Sequence, residues 1–147
     1  MATKQANSRA REGAASSVGA DNTVSSLAVI VKSRQQRGAE AEALAAKFLE
    51  KQGLKVIERN FRVKGGEIDL ICRDRNMVVF VEVRLRASQR FGGAVASITA
   101  QKQHRLIVAA RHWLLANGDV PCRFDCILLG QLDTTSIEWL RGAFSAD

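Results

Sequence analysis

The stretch Gly65-Gly66-Glu67-Ile68-Asp69-Leu70-Ile71, with Val78-Val79-Phe80-Val81-Glu82-Val83-Arg84 shortly after it, decides how this chain folds. Both runs are apolar and β-branched, and Arg73-Asp74-Arg75-Asn76 between them is turn-like, so they read as a β-hairpin. A two-residue loop at Arg75-Asn76 sets Asp74 opposite Met77. Counting back along the ladder then sets Asp69 opposite Glu82, with Cβ atoms about 5 Å apart. Like charges so placed destabilise each other unless a cation lies between them or one carboxyl keeps its proton. A divalent metal is the economical resolution, with Asp69 and Glu82 as its ligands.

Side chains alternate along a strand, so Phe80, Glu82 and Arg84 share one face of the second run and Val79, Val81 and Val83 the other. On the first run Glu67, Asp69 and Ile71 share a face, and Ile68, Leu70 and Cys72 the opposite one. The ordinary explanation of such alternation is a strand half in solvent. Val78 and Phe80 on the charged face of the second run argue instead for a face that is partly covered.

The order of features runs from an alanine-rich helix carrying Glu42, through RNFRVKGGEIDLI and VVFVEVRLR, to FGGAVASITAQKQHRL and CRFDCILL. From about Arg37 to Trp139 it resembles the bacterial YraN-like family. That family is regarded as endonucleases of the restriction-endonuclease-like fold, distantly similar to archaeal Holliday-junction resolvases. The paired GEIDL and FVEV runs make the resemblance specific, whereas an E-x-K or E-x-R triplet alone would be weak. In the wider nuclease superfamily an acid on the first helix, an Asp on one strand and Glu-x-Lys on the next carry the site. These map onto Glu42, Asp69, Glu82 and Arg84, so the resemblance implies a catalytic set and a Mg²⁺ or Mn²⁺ ion held by Asp69 and Glu82. Two departures stand out: Arg84 where the superfamily has Lys, and Ala41-Glu42 where the family has Gly-Glu.

Chemistry weighs the first departure. Phosphodiester hydrolysis needs a nucleophilic water, charge stabilisation at the phosphoryl oxygens and help for the leaving oxygen, and carboxylate-held Mg²⁺ supplies much of each. Arginine stays protonated, with a pKa above about 12. Arg84 can therefore grip phosphate or neutralise developing charge but cannot be the base. That role falls to a carboxylate, Glu42 or Glu67, or to the metal's own water. Glu42 lies on a predicted helix from about Gln36 to Gln52, stopped by Gly53, whose apolar stripe is Ala41, Leu44, Ala45, Phe48 and Leu49. It falls at the edge of that stripe beside Leu49, where a glutamate is commonly just solvated or paired with lysine.

The chain has 22 Lys+Arg against 15 Asp+Glu, a formal charge of +7 that attracts polyanions. No acid occurs between Glu82 and Asp119, a window holding Arg84, Arg86, Arg90, Lys102, Arg105 and Arg111. A basic rim beside an acidic centre suits a metal nuclease, whose carboxylates otherwise repel phosphate. Arg86, Arg90, Lys102 and Arg105 are the candidate nucleic-acid contacts. A surface for acidic proteins or anionic lipid is the alternative, and solvated charge is the ordinary reading of Lys102 and Arg105.

At 147 residues and 46% hydrophobic content the chain suits one core. Residues 1–34 read as a disordered tail and 35–147 as a single nuclease-like domain. Leu27-Ala28-Val29-Ile30-Val31 is too short for a signal-peptide core or membrane span, so a cytoplasmic protein without membrane association is expected. Predicted strands cover Leu54–Arg62, Glu67–Arg73, Met77–Arg84, Arg123–Leu129 and Ser136–Leu140. A loop through Phe91-Gly92-Gly93 precedes a helix over Thr99–Asn117 with Leu106, Ala110, Trp113 and Leu114 inward. The order α-β-β-β-α-β-β is that of an α/β or α+β layered domain with a mixed sheet flanked by helices, and the resemblance makes it restriction-endonuclease-like.

Cys72, Cys122 and Cys126 lack paired C-x-x-C spacing and indicate neither a disulfide framework nor zinc. Trp113 and Trp139 read as core, and Asp125 as the partner of a nearby basic residue. The sequence thus leads to a metal-dependent endonuclease acting on DNA, with structured or branched DNA favoured through the resemblance alone. A nucleic-acid-binding protein that kept the fold without hydrolysis is the main alternative, and a basic protein-interaction adaptor the other. Two equivalent cuts on a symmetric junction would favour a homodimer.

Overall fold

The computed structural model describes residues 22–85, 98–130 and 136–146, with side chains of the first helix from residue 34 onward. Helix α1 (Asn22–Lys51) is followed by strands β1 (Lys55–Val63), β2 (Gly66–Asp74) and β3 (Met77–Leu85). Helix α2 (Ala100–Asn117) comes next, then β4 (Cys122–Leu129) and β5 (Ile137–Phe144). This is the expected α-β-β-β-α-β-β order. The strands form one mixed sheet in the order β1-β2-β3-β4-β5. Neighbours are antiparallel except β3 and β4, which run parallel from Val78↔Cys122 to Leu85↔Leu129. Parallel neighbours need a crossover, and the segment containing α2 supplies it.

The helices cover opposite faces. On one, Ala41, Ala45, Ala46 and Leu49 of α1 pack on Leu70, Cys72, Val79, Val81, Ile127 and Leu129. On the other, Leu106, Ala109, Ala110 and Trp113 of α2 pack on Ile68, Ile71, Val78, Phe80 and Phe124. Small alanines let α1 approach the sheet closely, while α2 fills its side with aromatic area. Phe80 lies edge-on to Trp113, with ring centroids 5.8 Å apart. The charged face expected to be partly covered is the one under α2.

These packing partners correct one expectation. Strict alternation places Ile68 with Leu70 and Asp69 with Ile71, yet Ile68 and Ile71 both face α2 while Leu70 faces α1. The face switches at Asp69. Across the ladder, Arg59↔Leu70 and Phe61↔Ile68 flank Asn60, whose φ of 52° is left-handed for a non-glycine residue. The distortion therefore falls at Asp69 on one strand and at its neighbour Asn60 on the other.

Other differences are of extent. α1 begins at Asn22, inside the segment expected as a tail, whose residues 1–21 lie outside those described. The loop through Phe91-Gly92-Gly93 also lies outside them. β5 runs on through Arg141-Gly142 to Phe144, beyond the expected Leu140. It continues because Gly142 N–H donates to buried Asp125 at 2.9 Å and Phe144 stacks on Phe124 at 4.7 Å. Thr99 caps α2, its hydroxyl accepting from Lys102 N–H, and Gly118 ends it. No helix among the described residues is long and apolar enough to cross a membrane.

Gly66 is the point at which α2 docks. A Cβ on it would lie 2.5 Å from the Arg105 carbonyl oxygen and 2.8 Å from Ala109 N, both helix backbone that cannot swing aside. Gly66→Ala is expected to lower stability by about 1–3 kcal/mol, the usual cost of overpacking. Urea unfolding measures it, and a variant as stable as the parent would mean that α2 does not seat on this glycine.

Candidate functional site

The β2–β3 ladder ends at Leu70↔Val81, although β3 stays paired with β4 as far as Leu85. Beyond that split a side chain takes over from the backbone: Asp69 Oδ2 accepts the Val83 N–H at 2.8 Å. The Arg75-Asn76 turn holds the counted register, with Asp74 facing Met77. Asp69 and Glu82 lie just past the last pair of this ladder, and their carboxyl groups are close enough to act on each other's protonation.

Such a contact is stable only if one group carries a proton. Burial pushes Glu82 up to about 8, the Asp69 charge and the hydrogen bond to it add to the rise, and Arg84 offsets part. Burial raises Asp69 too, against the hydrogen bonds from Val83 N–H and Glu82. Glu42 of α1 is raised by burial and then by the Asp69 charge, while a hydrogen bond from Asn60 and the charges of Arg62 and Arg59 pull the other way. Asp69 of β2 is thus within electrostatic reach of both Glu42 of α1 and Glu82 of β3. Sequence had placed Glu42 only at the edge of its helix stripe.

Positive groups surround them. Lys102 Nζ lies 3.9 Å from Glu82 Oε1. Glu67, Glu82, Thr99, Lys102 and Arg105 line a cleft of about 240 Å³ at the start of α2. Arg84 follows Glu82 on the α2 side of β3, and its Nη1 is buried with no hydrogen-bond partner among the described residues. A buried donor without an acceptor costs about 1–3 kcal/mol and calls for a reason. Cys126, the β4 register partner of Glu82, is pushed by burial up to about 12 and stays a thiol.

Not every expected residue joins the group. Arg86 and Arg90 lie outside the described residues. Glu67, the second candidate base, is engaged by Arg62 Nε at 3.9 Å and by an Arg105 Nη at 3.8 Å. Arg62 was missed, although the signal was available: the Lys64-Gly65 turn pairs Val63 with Gly66 and so Arg62 with Glu67. Asn60 had no sequence signal, since its role depends on the ladder distortion. Asp125 pairs with Arg123 as expected, at 3.1 Å, and also accepts Trp139 Nε1–H at 2.9 Å. Among the described residues no three His, Cys, Asp or Glu side chains are arranged as a ready metal cage.

The shared proton sets a pH dependence. Glu82 binds its proton more tightly folded than unfolded, so between its ordinary value of 4.5 and about 8 the native state holds the extra proton, and stability falls as pH rises through that window. In chelator, thermal melts of the wild type should decline from pH 5 to pH 8. Glu82→Gln, neutral throughout, should remove most of that decline and melt several degrees above wild type at pH 8. Parallel melting curves for the two proteins would contradict the shared proton.

Residues 41–129, which span the α1 face, the hairpin, α2 and β4, match the family described as Uncharacterised protein family UPF0102. A UPF0102 protein of Dechloromonas aromatica is 59% identical over 111 residues, covering 76% of this chain and 90% of the relative. One from Nitrosomonas europaea is 54% identical over 78% of this chain and 98% of its own length. Another from Methylobacillus flagellatus is 54% identical over 76% and 99%. The chain belongs to family UPF0102, the YraN-like family that its GEIDL and FVEV runs resemble.

Proposed function

We propose that this protein is a metal-dependent endonuclease acting on DNA, with Asp69 and Glu82 at its centre. The observation that carries the reading is the placing of Asp69 and Glu82 side by side where β2 parts from β3, with Asp69 Oδ2 on the Val83 N–H, Lys102 beside Glu82 and both carboxyls raised by burial. Such a pair has an unmet demand for positive charge.

The donors fit Mg²⁺ or Mn²⁺: they are hard oxygens, the adjacent Cys126 stays a thiol, and two carboxylates completed by water and phosphate oxygens are the usual way Mg²⁺ is held. Asp69 and Glu82 would hold the ion, which when bound supplies Lewis-acid activation of water and of the phosphodiester. The remaining residues divide the work. Glu42, raised and near Asp69, takes a proton from the attacking water. Arg84, permanently charged and with an Nη1 that has no hydrogen-bond partner among the described residues, stabilises charge on the phosphoryl oxygens. Lys102, beside Glu82, and the basic window around it draw in the phosphate backbone.

The permanence of the Arg84 charge also favours a second reading, in which the domain binds nucleic acid without hydrolysing it. A cleavage assay separates the two on duplex, flap and four-way-junction substrates with Mg²⁺ and Mn²⁺. The nuclease reading expects Arg84→Ala to lower cleavage about ten- to thousandfold, the range for losing one preorganised charge donor. Arg84→Lys should retain it and Glu82→Gln abolish it. No metal-dependent product from any substrate would leave the binding reading. Calorimetry adds a direct test of the ion: Asp69→Asn should lose most Mn²⁺ binding, and equal binding by variant and wild type would end the shared site.

A further inference from the structure

Glu67 stands at the mouth of the carboxylate cleft with one oxygen towards each of two walls. Its Oε2 faces Arg62 Nε of β1 at 3.9 Å, and its Oε1 faces an Arg105 Nη of α2 at 3.8 Å. Neither arginine is placed by chance. Arg62 is the cross-strand register partner of Glu67. Arg105 sits over β2 because its own carbonyl packs against Gly66, the residue preceding Glu67. The sheet fixes one guanidinium, the docking of α2 fixes the other, and a single two-oxygen anion spans them.

The contacts are long and wet. The Arg62, Glu67 and Arg105 side chains are 74%, 49% and 50% exposed, so these ion pairs contribute little to stability and exchange readily for a better anion. A phosphodiester also presents two anionic oxygens on one central atom, and guanidinium binds phosphate at least as well as carboxylate. We infer that Arg62 and Arg105 form a two-jawed clamp for a nucleic-acid phosphodiester beside the Asp69–Glu82 pair, with Glu67 as the internal stand-in that holds the jaws in register until a strand displaces it.

The clamp rests on the reading that the site serves nucleic acid, and it deepens that reading. It places one phosphodiester between the β1 and α2 walls of the cleft, next to Glu82. It also gives Glu67 a role opposite to that of a base or metal ligand: removing its charge helps binding.

The test is fluorescence anisotropy with a labelled duplex in chelator, which reads binding without cleavage. Glu67→Gln should tighten binding by about two- to tenfold, the scale of one rim charge. Arg62→Ala with Arg105→Ala should weaken it and lower the slope of log affinity against log salt by about 1, for the one phosphate the two jaws hold. All three side chains are solvent-exposed, and thermal melts check that the variants fold. Unchanged or weaker binding by Glu67→Gln, an unchanged slope in the double variant, or no duplex binding at all would overturn the clamp. The outcome is separable from the nuclease reading: a protein that binds with this signature but never cuts keeps the clamp and loses hydrolysis, and one that cuts but is indifferent to these changes does the reverse.

Discussion

Two carboxyl groups in contact within a largely buried split have three options: one keeps a proton, a cation comes between them, or they part. The Asp69–Glu82 pair is held where parting is difficult. Asp69 is tied to the Val83 backbone N–H, and Glu82 lies on a strand paired along its whole length with β4. The register that joins them is set at the Arg75-Asn76 turn, where Arg75 takes a φ of 56°. Burial and the Asp69 charge both favour the protonated form of Glu82, and a divalent ion is the answer we propose for the working protein.

The rest of the structure supplies rigidity around this one unsatisfied point. Apolar layers cover both faces of the sheet, and α2 is seated on Gly66 so that Lys102 and Arg105 stand over the cleft. The contrast with Asp125 is instructive. That carboxylate is fully buried, yet it accepts hydrogen bonds from Arg123, Trp139 Nε1 and Gly142 N–H, so its charge is answered within the fold. Asp125 knits β4 to β5. Asp69 accepts only the Val83 N–H and Glu82 only the distant Lys102 ammonium, so this pair is less fully answered within the described residues than Asp125 is.

Much of this was legible in the sequence, for reasons that are local. Period-two apolar runs around a two-residue turn defined the hairpin, and the turn alone fixed which carboxylates meet. Helical periodicity found the buried faces of α1 and α2. What was hidden depended on departures from regularity: the face switch at Asp69, the left-handed Asn60 that binds Glu42, and the end of the β2–β3 ladder are tertiary distortions that alternation does not show. Gly66 was quoted as part of a motif, but only helix docking explains why it must lack a side chain. Arg62 was accessible through the β1–β2 turn, which pairs it with Glu67, but it lies outside the acid-free window that marked the other basic candidates.

The most direct test of the central claim is a carbon-13 NMR titration of the Asp69 and Glu82 side-chain carboxyls, with and without Mg²⁺. Without metal, Glu82 should titrate well above the ordinary glutamate range, with coupled shifts at Asp69. Saturating Mg²⁺ should drive the proton off and leave both groups ionised at neutral pH. A Glu82 carboxyl that titrates as an ordinary glutamate, and is indifferent to the ion, would contradict the account.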